Sequence, residues 1–107
     1  MADLGELICN SKFIKSISLE ANLINDLGVE ILTEKVEANI SLRSLNLSRN
    51  KNITDYSIPN LYKLIRRTRI ERLPLDGTLI GLGHYLYVYL VINEIRNGNE
   101  NLDMRKW

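Results

Sequence analysis

LRSLNLSRN, residues 42–50, decides the reading of this chain. Leu42, Leu45 and Leu47 are apolar at spacings of three and two, and Asn50 follows three residues later. The last two leucines alternate with polar residues, which is the period of a half-buried strand. An asparagine at the end of such a run suits a turn, because its short amide can bond nearby backbone.

The pattern recurs 28 residues earlier and 28 residues later. The earlier copy has Ile14, Ile17, Leu19 and Asn22; the later copy has Ile70, Leu73, Leu75 and Thr78. A further isoleucine follows each copy, at Ile24, Ile53 and Ile80, the middle one displaced by a single inserted residue. Self-similarity at this period means stacked units, each burying its apolar side against the next.

The remainder of each unit reads as helix. Val29, Leu32 and Val36 make one apolar stripe, with Asp26 as the expected N-cap and Asn39 as the stop. Ile58, Leu61, Leu64 and Ile65 make the second stripe. Asp55 or Ser57 would cap it, and Pro59 falls in the first turn, where a missing N–H costs no intrahelical bond. A third helix is expected from about His84 to Arg96, with Tyr85, Val88 and Ile92 facing the sheet and Tyr87, Leu90 and Val91 elsewhere. Asn97 and Gly98 would stop it. The expected organisation is one domain: a cap helix in 1–13, repeats at 14–41, 42–69 and 70–97, and a tail at 98–107. Leu102 and Met104 would form a degenerate fourth strand if one residue is inserted; a polar tail is the alternative.

Three features together, the LxxLxLxxN strands, the 28-residue unit and a full return helix, resemble the leucine-rich-repeat proteins of the ribonuclease-inhibitor-like subclass. The resemblance covers about residues 3 to 95. It implies an α/β fold: a short right-handed solenoid with about three parallel strands on a concave face and helices on the convex face. It also implies an intracellular protein that binds other proteins through the concave face. Two residues depart from the pattern. Thr78 stands where the asparagine would tie neighbouring turns, and Pro74 sits in the third strand, where it cannot donate to a ladder.

Composition narrows the function. The net charge of +1 gives no general attraction to nucleic acid or anionic membrane. Cys9 is the single cysteine, so neither an internal disulfide nor a multi-cysteine metal site can form. The N-terminal residues have no basic, apolar leader pattern, and a cytoplasmic location is expected. Residues 77–93 carry no formal charge, but they include Thr78, His84, Asn93 and three glycines. A buried helix after a turn explains them better than a membrane span. Gly77, Gly81 and Gly83 match no phosphate-binding loop, and no nucleophile elbow is present. Neither catalysis nor a cofactor is expected.

Lys63, Arg66, Arg67, Arg69 and Arg72 form a basic cluster. Three of the five end a helix, where the macrodipole favours cations, and that reading outweighs a phosphate site. The strand positions between the buried residues align as rows: Ser16, Ser44 and Arg72; Ser18, Asn46 and Pro74; Glu20, Ser48 and Asp76. Ser18, Glu20, Asn46, Ser48, Arg49, Arg72 and Asp76 are therefore the candidate protein-binding residues. A merely solvated sheet face is the competing reading. The apolar run from Tyr85 to Ile92 offers self-association. The alternative function is a structural or self-associating fragment, or remnant, of a longer repeat protein.

Overall fold

The computed structural model describes residues 12–39 and 41–96. The expected cap helix with Cys9, all but residues 12 and 13 of its range, and the expected tail at 98–107 lie outside these residues. The order of elements is β1 (Ser16–Ser18), α1 (Asp26–Glu37), β2 (Ser44–Asn46), a 3-10 turn (Asp55–Ser57), α2 (Ile58–Arg67) and α3 (Leu82–Arg96).

The two strands are parallel, with Ser16 opposite Ser44, Ile17 opposite Leu45 and Ser18 opposite Asn46. The register equals the sequence period, so equivalent side chains stack. The expected third strand is not a full one. Its segment meets β2 through a single bridge, Ser44 to Arg72. Pro74 supplies the physical reason. β2 and the residues that follow it donate to this segment throughout: Leu45 N–H to Arg72 O at 3.0 Å, Leu47 N–H to Pro74 O at 3.0 Å and Arg49 N–H to Asp76 O at 2.6 Å. The return bonds start with Arg72 N–H to Arg43 O at 3.1 Å, and the next donor in that series is residue 74, which has no N–H.

The apolar positions of all three units form one core. Leu42, Leu45, Leu47, Ile53, Leu61, Ile65 and Ile70 are essentially solvent-free, and Ile24 and Ile80 are buried at the equivalent turn positions. Helices α1 and α2 pack together, and α2 packs on α3.

Asn50 locks adjacent units together. Its side chain is wholly buried. Oδ1 accepts from the Asn22 and Ile24 N–H groups, each at 2.9 Å. Nδ2 donates to Leu19 O at 3.0 Å and Leu47 O at 2.9 Å. Thr78 keeps only bonds within its own unit: its hydroxyl donates to Leu75 O at 2.8 Å and accepts from Ile80 N–H at 3.4 Å. A hydroxyl is too short and has too few donors to span two units.

The helix caps differ from the expectation in two places: Ser57 stands at the N-cap position of α2 but makes no side-chain cap bond, and the cap of α1 is another residue. Asn25, not Asp26, caps α1, accepting from Gly28 N–H at 2.9 Å. Asp26 is thereby free to reach the next unit, where its carboxylate accepts from Thr54 N–H (2.8 Å), Thr54 Oγ1 (2.6 Å) and Ser57 Oγ (2.5 Å). Burial pushes the Asp26 carboxyl up, but the Ser57 and Thr54 hydrogen bonds outweigh it and hold the group below its ordinary value of 3.8. A carboxylate held low in the folded state adds stability above the unfolded value, and that stability is lost as pH falls through the folded value. Asp26→Asn should therefore flatten the loss of stability as pH falls through and below the ordinary carboxyl value of 3.8, measured by urea denaturation at a series of acid pH values. An unchanged acid limb would mean the bridge contributes nothing.

Candidate functional site

The strand residues that face away from the helices form a polar surface. Ser16, Ser18, Glu20, Arg72 and Asp76 are exposed, and Ser44 and Asn46 are half-buried. Arg49 is exposed at the strand end. Ser48 departs from the expectation: it is buried and cannot touch a partner. Strand alternation ends at Leu47, because the chain turns left-handed at Arg49 (φ 60°) to bring Asn50 inward. The same turn recurs at Ala21 (φ 56°) and Gly77 (φ 75°), 28 residues to either side. Ala21 and Arg49 adopt it against the preference of L residues, at a cost of about 1 kcal/mol each. At Gly77 a Cβ would also lie 3.3 Å from Arg49 Cα and Cγ, so glycine lets this turn pack against the Arg49 turn.

The surface is mixed in charge. Glu20 and Asp76 lie in one aligned row on either side of Ser48, which Arg49 follows in the chain; Arg72 stands in the first row, beside Ser44. Asn46 uses its Oδ1 to accept from Ser48 N–H at 2.9 Å, which leaves its amide NH₂ as the contact group.

Asp76 has a second engagement that the row pattern does not reveal. It takes a hydrogen bond from the Tyr85 hydroxyl, which also meets the Leu75 backbone. A cleft of about 200 Å³ lies between these residues, lined also by Thr78, Ile80 and Leu82. Burial, the Asp76 hydrogen bond and charge, and the neighbouring Tyr89 push the Tyr85 phenol up to about 12. Burial, then Tyr87, push Tyr62 up as well. Tyr85 and Tyr62 should both ionise above the ordinary phenol value of 10.0 in an alkaline absorbance titration. A raised phenol stabilises the fold below the unfolded value and ceases to do so as pH rises through the folded one. Tyr85→Phe should remove the step at about 12; its persistence would contradict the Asp76 contact.

Of the basic cluster, Arg66 and Arg67 stand in the last turn of α2, whereas Arg69 and Arg72 lie beyond the helix. Lys63, Arg66, Arg67, Arg69 and Arg72 are exposed, and Arg67 lies 3.7 Å from Glu37. Arg96, outside that cluster, does more. From the last turn of α3 it donates through Nε to Ile70 O at 2.7 Å and through Nη2 to Thr68 O at 3.0 Å. It thus covers carbonyls just past the end of α2. No periodic signal marks it, because only one unit has such a residue.

No helix among the described residues is long and apolar enough to cross a membrane. Among the described residues no cluster of His, Cys, Asp and Glu is placed to hold a metal ion. No family model matches the chain, and no curated protein matches it in sequence. In structure the chain is similar to the tropomodulin C-terminal domain of Caenorhabditis elegans, a leucine-rich-repeat domain, with a TM-score of 0.68 over 85% of this chain. The fold is that of a leucine-rich-repeat domain. Sequence identity is 14%, so the likeness is one of fold alone. The chain spans 57% of the length of that domain.

Within this leucine-rich-repeat fold, the sheet residues are held by hydrogen bonds between adjacent units and the helix-side residues close the core. Six of the seven expected contact residues share the accessible sheet side; Ser48 does not.

Proposed function

We propose that this chain is a non-catalytic, cytoplasmic protein-binding module of the ribonuclease-inhibitor-like subclass, presenting the concave face of a short solenoid to a protein partner. The 28-residue unit with a full return helix supports the subclass. The single observation that carries the binding role is the set of polar and oppositely charged residues, the exposed Ser18, Glu20, Arg49, Arg72 and Asp76 with the half-buried Asn46, on two paired strands, their ends and a third hydrogen-bonded segment. Arg49 and Arg72 are the anchors, since arginine makes bidentate contacts to carboxylates that lysine or serine cannot. Glu20 and Asp76 then select for basic groups at the ends of the partner's contact. A partner with alternating charges along an extended stretch fits this pattern best.

Charge reversal tests the proposal. Glu20→Lys, Arg49→Glu and Arg72→Glu together should reduce partner recovery in a quantitative pull-down by at least about tenfold, since each rim reversal costs on the order of 1 kcal/mol. Asp76→Lys belongs in a separate variant, because it also removes the acceptor of Tyr85. Unchanged recovery with the triple variant would refute binding through this face.

A further inference from the structure

Helix α3 buries Val88, Val91 and Ile92 and half-buries Tyr85 and Ile95 against the core. Its opposite side is apolar as well. Leu82 is 73% exposed, Leu86 54% and Leu90 58%, at i, i+4 and i+8, with Tyr89 at 50% beside them and Leu79 at 64% just before the helix. Val91, expected to lie elsewhere, is on the buried side. These five side chains offer on the order of 500 Å² of apolar surface, at the upper end of what a monomer leaves in one patch.

Two features say what fits on it. The first is charge. From residue 77 to residue 93 there is none, so nothing within the patch repels an identical surface; the charges of this helix, Glu94 and Arg96, lie in its last turn. The second is Gly83. It lies on the exposed side next to Leu86 and Leu90 in the helical projection, three and seven residues before them. A Cβ there would meet nothing within 4 Å, and its φ is not in the left-handed region. Glycine weakens a helix, and no contact within the described residues calls for it. A notch beside a leucine ridge on one helix is self-complementary: ridge and notch exchange places under a two-fold axis.

We propose that the outer face of α3 is a homodimer interface, in which two copies pack antiparallel about Leu86 and Leu90 of each copy sits over Gly83 of the other. The ridge of residues spaced by four is the type that interdigitates with its own kind at an inclined crossing. The antiparallel arrangement also opposes the two helix dipoles favourably. The patch is smaller than the roughly 800 Å² per partner of a standard interface, so the dimer is a weak, reversible one. The patch adjoins the sheet face only at the cleft that Leu82 and Asp76 line.

Sedimentation equilibrium of the full chain up to millimolar concentration tests the proposal. The expected result is a monomer–dimer equilibrium. Leu86→Glu places like charges on the axis and should weaken association on the order of a hundredfold, with an unchanged circular dichroism spectrum. Gly83→Ala should do two opposite things. It should raise the melting temperature of the dilute monomer slightly, because residue 83 lies in the first turn of α3, where the gain is smaller than in a helix interior, and it should weaken the dimer by filling the notch. The sheet-face triple variant should dimerise as the unaltered chain does. A monomer at every concentration would overturn the proposal. So would a dimer indifferent to Leu86→Glu, or Gly83→Ala that associates as tightly as the unaltered chain.

Discussion

Asn50→Ala should destabilise the fold by about 4 kcal/mol, a large share of the 5–15 kcal/mol typical of a small domain. The side chain is wholly buried and links two units through backbone groups of both. Its removal orphans the Asn22 and Ile24 N–H groups and takes the amide donor from Leu19 O and Leu47 O. Each buried backbone group left without a partner costs about 1–3 kcal/mol. Asn50→Thr should recover little, because Thr78 shows what a hydroxyl does at this position: it bonds within its own unit. Thr78→Ala should cost only about 1 kcal/mol. Urea unfolding followed by far-ultraviolet circular dichroism separates these outcomes. A loss below about 1 kcal/mol for Asn50→Ala would mean that water replaces the amide and that the units are held by apolar packing alone.

Leu45→Ala should cost about 3–5 kcal/mol, near the top of the range for a buried leucine. Leu45 is solvent-free, sits at the centre of β2, and has a counterpart on either side, Ile17 in register with it and Leu73 one period on. The cavity is walled by neighbouring units and closes poorly. Ile17→Ala should cost clearly less, about 1–2 kcal/mol, because Ile17 is only half-buried and has a described neighbouring unit on one side. The order of the two effects is a sharper test than either value. Equal costs would argue against unit-by-unit stacking.

The period made most of the fold legible. One spacing of 28 sets the strand register and the three apolar rows, and the isoleucines that follow each copy, Ile24, Ile53 and Ile80, prove to be buried. Pro74 pointed to the third segment as an edge, and the missing N–H at that residue is where the ladder fails. The remainder was hidden for identifiable reasons. Ser48 reads as an outward residue only if alternation continues past Leu47, but the left-handed turn at Arg49 ends it. Asp26 reads as a cap because aspartate often is one; Asn25 takes that place, and the carboxylate serves the next unit instead. Arg96 and the Tyr85–Asp76 contact occur once each, so no repeat could reveal them. Of the site, the exposed rows were readable from strand geometry, whereas a partner's identity is not encoded in the spacing of leucines.

The central claim is that a partner is held by the sheet side of this leucine-rich-repeat fold. Amide hydrogen exchange of the chain, alone and with a partner recovered by pull-down, measures that contact directly. Slowed exchange should concentrate in residues 16–20, 43–49 and 71–77, around Arg49 and Arg72, while α1 and α2 remain as they are in the free chain. Slowed exchange confined to the helices, with those three segments unchanged, would contradict the account.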